Sequence, residues 1–299
     1  LSFLLHNDGA AAMAGKMLDR VIAMHDFNNE WASAQRAYFY GYVSHLMCDA
    51  VFHPFVFYHS GFPKNIKNPS AKEVKFFREQ NLMFQYNIDG YFEHFYKDQR
   101  FHLDLNAFLP ETGRGISRRL YPALKDFLLG SLEEAFPDKI RRLIWKVGPD
   151  KDRRLSGSMG YLDVCPHFIR LAYAIKRAKP HSRLVRAVSA IRRRKLFYTD
   201  FLVLYPAPRK INKHFVNLHR DRWRNPTGTP GWRYESAEDL LHQACSITAE
   251  VWEKTEGILY GEKKNYQHII KQLSINPLTG ESATPYEKLK IHDATILRY

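Results

Sequence analysis

Inside the run "GYVSHLMCDAVFHPFVFYHSG" (residues 41–61), His45, Asp49 and His53 follow one another at steps of four. On an α-helix such steps return to nearly the same face, each displaced about 6 Å along the axis, so two imidazoles and a carboxylate form one row. Neutral imidazole and carboxylate suit zinc, bonding at roughly 2.0–2.2 Å, whereas calcium and magnesium prefer oxygen shells. The two imidazoles stand about 12 Å apart along the axis, awkwardly far to share one ion. A central Asp49 could instead bridge two ions roughly 3.5–4 Å apart. The competing reading is a buried polar row satisfied by neighbouring side chains. Pro54 disfavours α geometry at the residue before it, which puts His53 at the helix end.

These residues need a helical frame, and the sequence supplies one. Met13, Met17, Val21 and Met24 recur at spacings of three and four, the stripe of an amphipathic helix over residues 9–25. A helix-length run at 30–53, apolar on most sides, reads as the centre of a bundle. Two prolines and a glycine in "GFPKNIKNPS" interrupt the pattern, and Ser70 with Glu73 forms a capping box for a helix to about Lys97. Further helices are expected at 122–135, at about 162–178, and from the Ser236/Asp239 cap to about Gly257. No hairpin signal recurs, so the class is all-α, a multi-helix bundle with long loops. Residues 1–260 read as one all-α domain, with metal-site helices within 1–105 and a basic helical part at 161–224. Residues 261–299 read as a polar C-terminal tail, packed on the surface or flexible.

The chain has 299 residues, 45% of them apolar, with 20 Phe, 17 Tyr and 5 Trp, enough for a core of bulky side chains. Nothing approaches the roughly 18–20 uninterrupted apolar residues of a membrane-spanning helix, so a soluble protein is expected. Cys48, Cys165 and Cys245 have no paired spacing and read as reduced, buried thiols. The sequence opens at Leu1 with no visible leader, which points to a cytoplasmic or peripheral-membrane location. The net charge is +14, and it is concentrated: Arg170–Arg224 holds sixteen Lys and Arg against only Asp200 and Asp221. Such a block favours phosphate-bearing partners, either anionic lipid headgroups or nucleic acid, although a solvated basic face would have the same composition.

The stretch "YFYGYVSHLMCDAVFHPFV" resembles the central helix of the bacterial zinc-dependent phospholipase C family, in which a glycine precedes His, then Asp and His at four-residue steps, then Pro. Members of that family are all-helical and related to secreted phosphatidylcholine-cleaving enzymes and to single-strand-specific zinc nucleases. "SFLLHNDGAAAMAGKMLDRVI" resembles the family's preceding helix, with His6 in the ligand place. "RDRWRNPTGTPGWRYESAEDLLHQA" resembles its C-terminal Trp, Asn-Pro and Ser-capped block. On the following helix the family carries His, Glu and Asp at four-residue steps, where this chain has Asn81, Gln85 and Asp89. Amides are poor zinc ligands, so the resemblance implies two zinc ions rather than three. The family's first block of ligands would lie before Leu1.

The implied chemistry is phosphodiester hydrolysis of phospholipid, with His6, His45, Asp49 and His53 as metal ligands and metal-activated water as nucleophile. Asp89 and Asp26 are the candidates for a carboxylate that orients the water. Asp89 is equally suited to holding an imidazole from behind. The basic segment would draw in anionic phospholipid, each cation near such a surface contributing about 1 kcal/mol. The alternative is a catalytically degenerate basic helical module that binds anionic membrane or nucleic acid, a reading favoured by the Asn81 and Gln85 amides.

Overall fold

The computed structural model describes residues 5–7, 9–24, 30–96, 111–113, 119–140, 167, 169–171, 174, 210–261 and 267–293. Helices dominate them, as the all-α reading expects. Six α-helices are bounded within the described residues: α1 (Ala10–Ala23), α2 (Glu30–Ser60), α3 (Ala71–Phe95), α4 (Pro122–Ala135), α5 (Ala237–Leu259) and α6 (Gln267–Leu273), with short 3-10 helices at Lys213–Val216 and Tyr286–Lys288. Two short strands, β1 (Glu111–Thr112) and β2 (Arg119–Leu120), pair antiparallel with Glu111 opposite Leu120. No helix among the described residues is long and apolar enough to cross a membrane. The chain divides into two compact units: Leu1–Gln85 with Phe127–Ile140 and Lys213–Tyr299, and Tyr86–Asp126 with Arg141–Asn212.

In the first unit α2 is the central rod, with α1 and α5 packed against it and α6 against α1 and α5. The α1 stripe is buried at Met13, Met17 and Val21, joined by Ala14 and Leu18. From α2 the side chains of Phe39, Val43, Leu46, Met47 and Phe55 are almost fully buried. Phe55 meets Trp223 at 5.2 Å and Phe84 at 5.5 Å between ring centroids, and Phe84 meets Phe215 at 5.0 Å. These aromatics join distant segments of the chain in one core, as their number in the sequence suggests.

The expectation that the central helix stops near His53 is corrected: α2 runs seven residues further, through Pro54, to Ser60. Proline has no N–H to give the carbonyl four residues earlier, which is that of Ala50. At that point the backbone of Gly280 lies so close that a Cβ there would sit 2.5 Å from the Ala50 oxygen and 2.9 Å from Pro54 Cγ. Tertiary packing around the proline therefore prevails over its local preference. The helix ends instead at Gly61, whose φ of 77° is open to glycine and whose N–H bonds Phe57 O at 2.9 Å.

Both capping boxes form. Ser70 Oγ accepts from Glu73 N at 3.2 Å while the Glu73 carboxylate accepts from Ser70 N at 3.1 Å. Ser236 and Asp239 do the same at the start of α5. Residues 267–293 depart from the expected tail. They contain α6 and bury Ile269, Leu273, Leu278 and Leu289, and Asn276 is buried with its amide bonded to Asn7 Oδ1 at 2.7 Å. The apolar residues there are spaced too irregularly for a helical or strand pattern to reveal them.

The second unit contains the end of α3, the start of α4 and the two strands. Arg170 pairs with Glu111 of β1 at 2.9 Å, and Asn87 Oδ1 accepts from Asn212 N at 3.3 Å. The strand pair is a feature the all-α reading omitted, and at two residues each it is too short to alternate visibly. Most of the basic 161–224 segment and Cys165 lie outside the described residues; within the expected 162–178 helix the described residues, 167, 169–171 and 174, are helical. Of the other cysteines Cys48 is half-buried and Cys245 exposed, so the expectation of buried thiols fails at Cys245.

Candidate metal centre

Asp49 and His45 occupy one face of α2, as their spacing requires, and the helical turn at Leu5 and His6 brings a second imidazole to them. His6 Nε2 lies 2.8 Å from His45 Nε2, with the rings edge to face at 83°. Asp49 Oδ2 lies 3.4 Å from His45 Nε2, 3.7 Å from His6 Nε2 and 3.9 Å from His53 Nδ1. One ligand atom from each of His6, His45 and Asp49 falls within 4.8 Å of the other two. A pair of nitrogens and a carboxylate oxygen thus face one small volume.

The test of this donor set is Asp49 Oδ2. That oxygen is buried and accepts no hydrogen bond. A polar row holding itself together would place an imidazole N–H about 2.7–3.2 Å from it, and leaving such an acceptor unsatisfied costs about 1–3 kcal/mol or more for a charged group. Three imidazole nitrogens stand just outside that range instead. His6 Nε2 and His45 Nε2 share one hydrogen bond; a cation displacing that proton would take both Nε2 lone pairs and satisfy the Asp49 oxygen, so the residues fit a divalent ion with nitrogen and oxygen ligands. The protein packed around His45 lowers its pKa below the ordinary histidine value; Asp49 opposes this, and His6 and His53 add to it. The neutral ring is the form that ligates metal.

His53 is positioned differently. Its Nδ1 lies 2.9 Å from the carbonyl oxygen of Pro277. A carbonyl only accepts, so Nδ1 carries the proton and Nε2 is the lone-pair nitrogen of the neutral ring. The nitrogen nearest Asp49 is therefore committed to Pro277, and any metal bond from His53 would come from Nε2.

Gln85 Nε2 donates to Asn81 Oδ1 at 2.5 Å, so the two amides on α3 are engaged with each other. Asp89 is exposed on α3 and belongs to the second unit. Asp26 lies outside the described residues. Sequence reasoning missed the supports of the site. Asn7, next to His6, is buried and accepts from Asn276 Nδ2 at 2.7 Å and from the Tyr286 backbone N–H at 3.0 Å. Pro277 and Gly280 complete the segment that braces α2. The only local signal was "NPLTG" (276–280), a turn-forming string without ligand chemistry.

No family model matches this chain, and neither a curated protein nor a solved structure is significantly similar to it.

Proposed function

We propose that His6, His45 and Asp49 hold a divalent cation, zinc by the chemistry of the donors, and that the chain is a metal-dependent phosphodiester hydrolase acting on phospholipid. The observation that carries this reading is the buried Asp49 Oδ2, without a hydrogen-bond donor, at the centre of three imidazoles. Three protein ligands is the number held by catalytic rather than structural zinc. Bound there, zinc supplies a Lewis acid that polarises a phosphoryl oxygen and brings the pKa of water towards about 7. Asp49 would contribute a carboxylate oxygen, and His45 and His6 would each contribute an Nε2 lone pair. His53, fixed by Pro277, buttresses Asp49 on the side away from His45. The convergence of three donors supports one ion here; a second would need His53 Nε2 together with further ligands. The phospholipid assignment rests on the resemblance of the 38–56 motif.

The test has two parts. Elemental analysis of purified protein should give about one zinc per chain. Release of a chromogenic alcohol from a phosphodiester, and of phosphocholine from phosphatidylcholine, should stop with chelator and return with zinc. Protein that binds no metal under zinc dialysis would end this reading.

A second reading, the degenerate basic module, has its own observation. The guanidinium groups of Arg222 and Arg224 stack on Trp232, at 4.6 and 5.1 Å from the ring centre, and Trp232 is 44% exposed. Cations held on an exposed indole suit an anionic membrane interface. Retention on anionic vesicles without turnover would favour it.

A further inference from the structure

In the first unit, one turn beyond His53 on α2, an open cavity of about 510 Å³ is walled by Phe57, Ile66, Val74, Phe77, Leu278 and Tyr286. Its volume lies within the roughly 300–1,000 Å³ typical of small-molecule sites. The floor belongs to the buried cluster of Phe57, Phe62, Leu278 and Leu289, so it is part of the packed core and preformed. Two features make it more than an apolar gap. The Nδ2 of Asn81, which lines the wall, is buried and donates to nothing. Because Asn81 Oδ1 already accepts from Gln85, the amide is held with its N–H groups directed away from Gln85. The charged groups around the cavity are Lys67, Arg78 and Glu287, a net single positive charge.

We propose that this cavity binds one long acyl chain, whose carbonyl or carboxylate oxygen accepts a hydrogen bond from Asn81 Nδ2. An apolar lining with one buried donor excludes water from most of the ligand and rewards a single acceptor at a fixed place. The net charge of the rim matches a monoanion, which favours a free long-chain carboxylate over an ester of the same chain. This site uses none of the metal-centre ligands, and the inference stands whether or not the metal reading does. Phe57 packs against the His53 ring at 5.5 Å, so the two sites share a wall.

The experiment is titration calorimetry of the full chain with dodecanoate and, separately, with the dodecanoyl lysophospholipid, both below their micelle concentrations. Saturable one-to-one binding of either supports the site, and the tighter of the two identifies the source of the chain. Asn81→Leu, which keeps the shape and removes the donor, should weaken binding about tenfold or more. Val74→Trp at a position 45% exposed should block entry without disturbing the fold, as circular dichroism would verify. Asp49→Asn should bind the chain as the parent does. Absence of saturable binding of both ligands, or equal affinity in the parent and Val74→Trp proteins, would overturn the proposal.

Discussion

The Nδ1 of His53 lies 2.9 Å from the carbonyl oxygen of Pro277, a residue 224 positions further along the chain. This one bond fixes a tautomer, separates His53 from the two imidazoles that converge beside Asp49, and ties the face of α2 to the segment that follows α6. A metal ligand or its support is only as well placed as such partners hold it.

The charge at position 49 should have opposite effects with and without metal. In metal-free protein Asp49→Asn removes the charge from a carboxylate whose buried Oδ2 accepts no hydrogen bond, and should leave thermal stability unchanged or raise it. With zinc present at about one hundred times its Kd, the parent should gain about 2.7 kcal/mol and the variant almost nothing. Paired thermal melts with zinc and with chelator measure both.

Asn7 should matter beyond its size. Replacing it with Ala leaves the buried Asn276 amide and the Tyr286 N–H without their acceptor, at a cost of about 1–3 kcal/mol. Because Asn7 adjoins His6, zinc affinity should fall about 10- to 100-fold, the range seen when a ligand's support is lost. Urea titration and competition with a zinc-binding dye report the two effects separately.

Acid should destabilise the protein through His59. Burial lowers its pKa from the ordinary 6.5 to about 4. Above pH 6.5 the ring is neutral in both folded and unfolded chains and contributes no pH dependence. Between about 6.5 and 4 the unfolded chain takes up the proton and the folded one does not, so stability falls with pH by about 3 kcal/mol in all. His59→Phe, which preserves the stack on Phe84, should flatten that part of a plot of urea midpoint against pH.

At Gly280 a methyl group should be costly. Its φ of 69° disfavours an L side chain, and an added Cβ would meet the Ala50 oxygen. Gly280→Ala should lose about 1–3 kcal/mol from overpacking alone. It should also weaken zinc binding by displacing Pro277 from His53. Ser236→Ala, which removes only a helix cap, should cost about 1 kcal/mol and leave zinc affinity unchanged.

What the sequence disclosed follows from the range of each signal. The Met13, Met17 and Val21 stripe and both capping boxes are local, set by helical period and by side chains reaching three residues, and they form as expected. The alignment of His45 with Asp49 is local too. His6 came from the resemblance and not from spacing, since nothing in the chain's own periodicity brings it to α2. Pro277 and Asn276 were invisible because their contribution is a carbonyl oxygen and an amide acting across more than two hundred residues. Pro54 misled for the same reason: its local preference was legible, and the glycine that accommodates the helix through it was not.

The buried link between Asn7 and Asn276 joins the first described helical turn to a segment near the far end of the chain. Shortening the protein at residue 260, where composition turns polar, would amputate the scaffold under His6 along with the oxygen that steadies His53. Such a truncate would keep the whole His45, Asp49 and His53 motif in its sequence and yet, on the proposed reading, should bind zinc far more weakly than the parent.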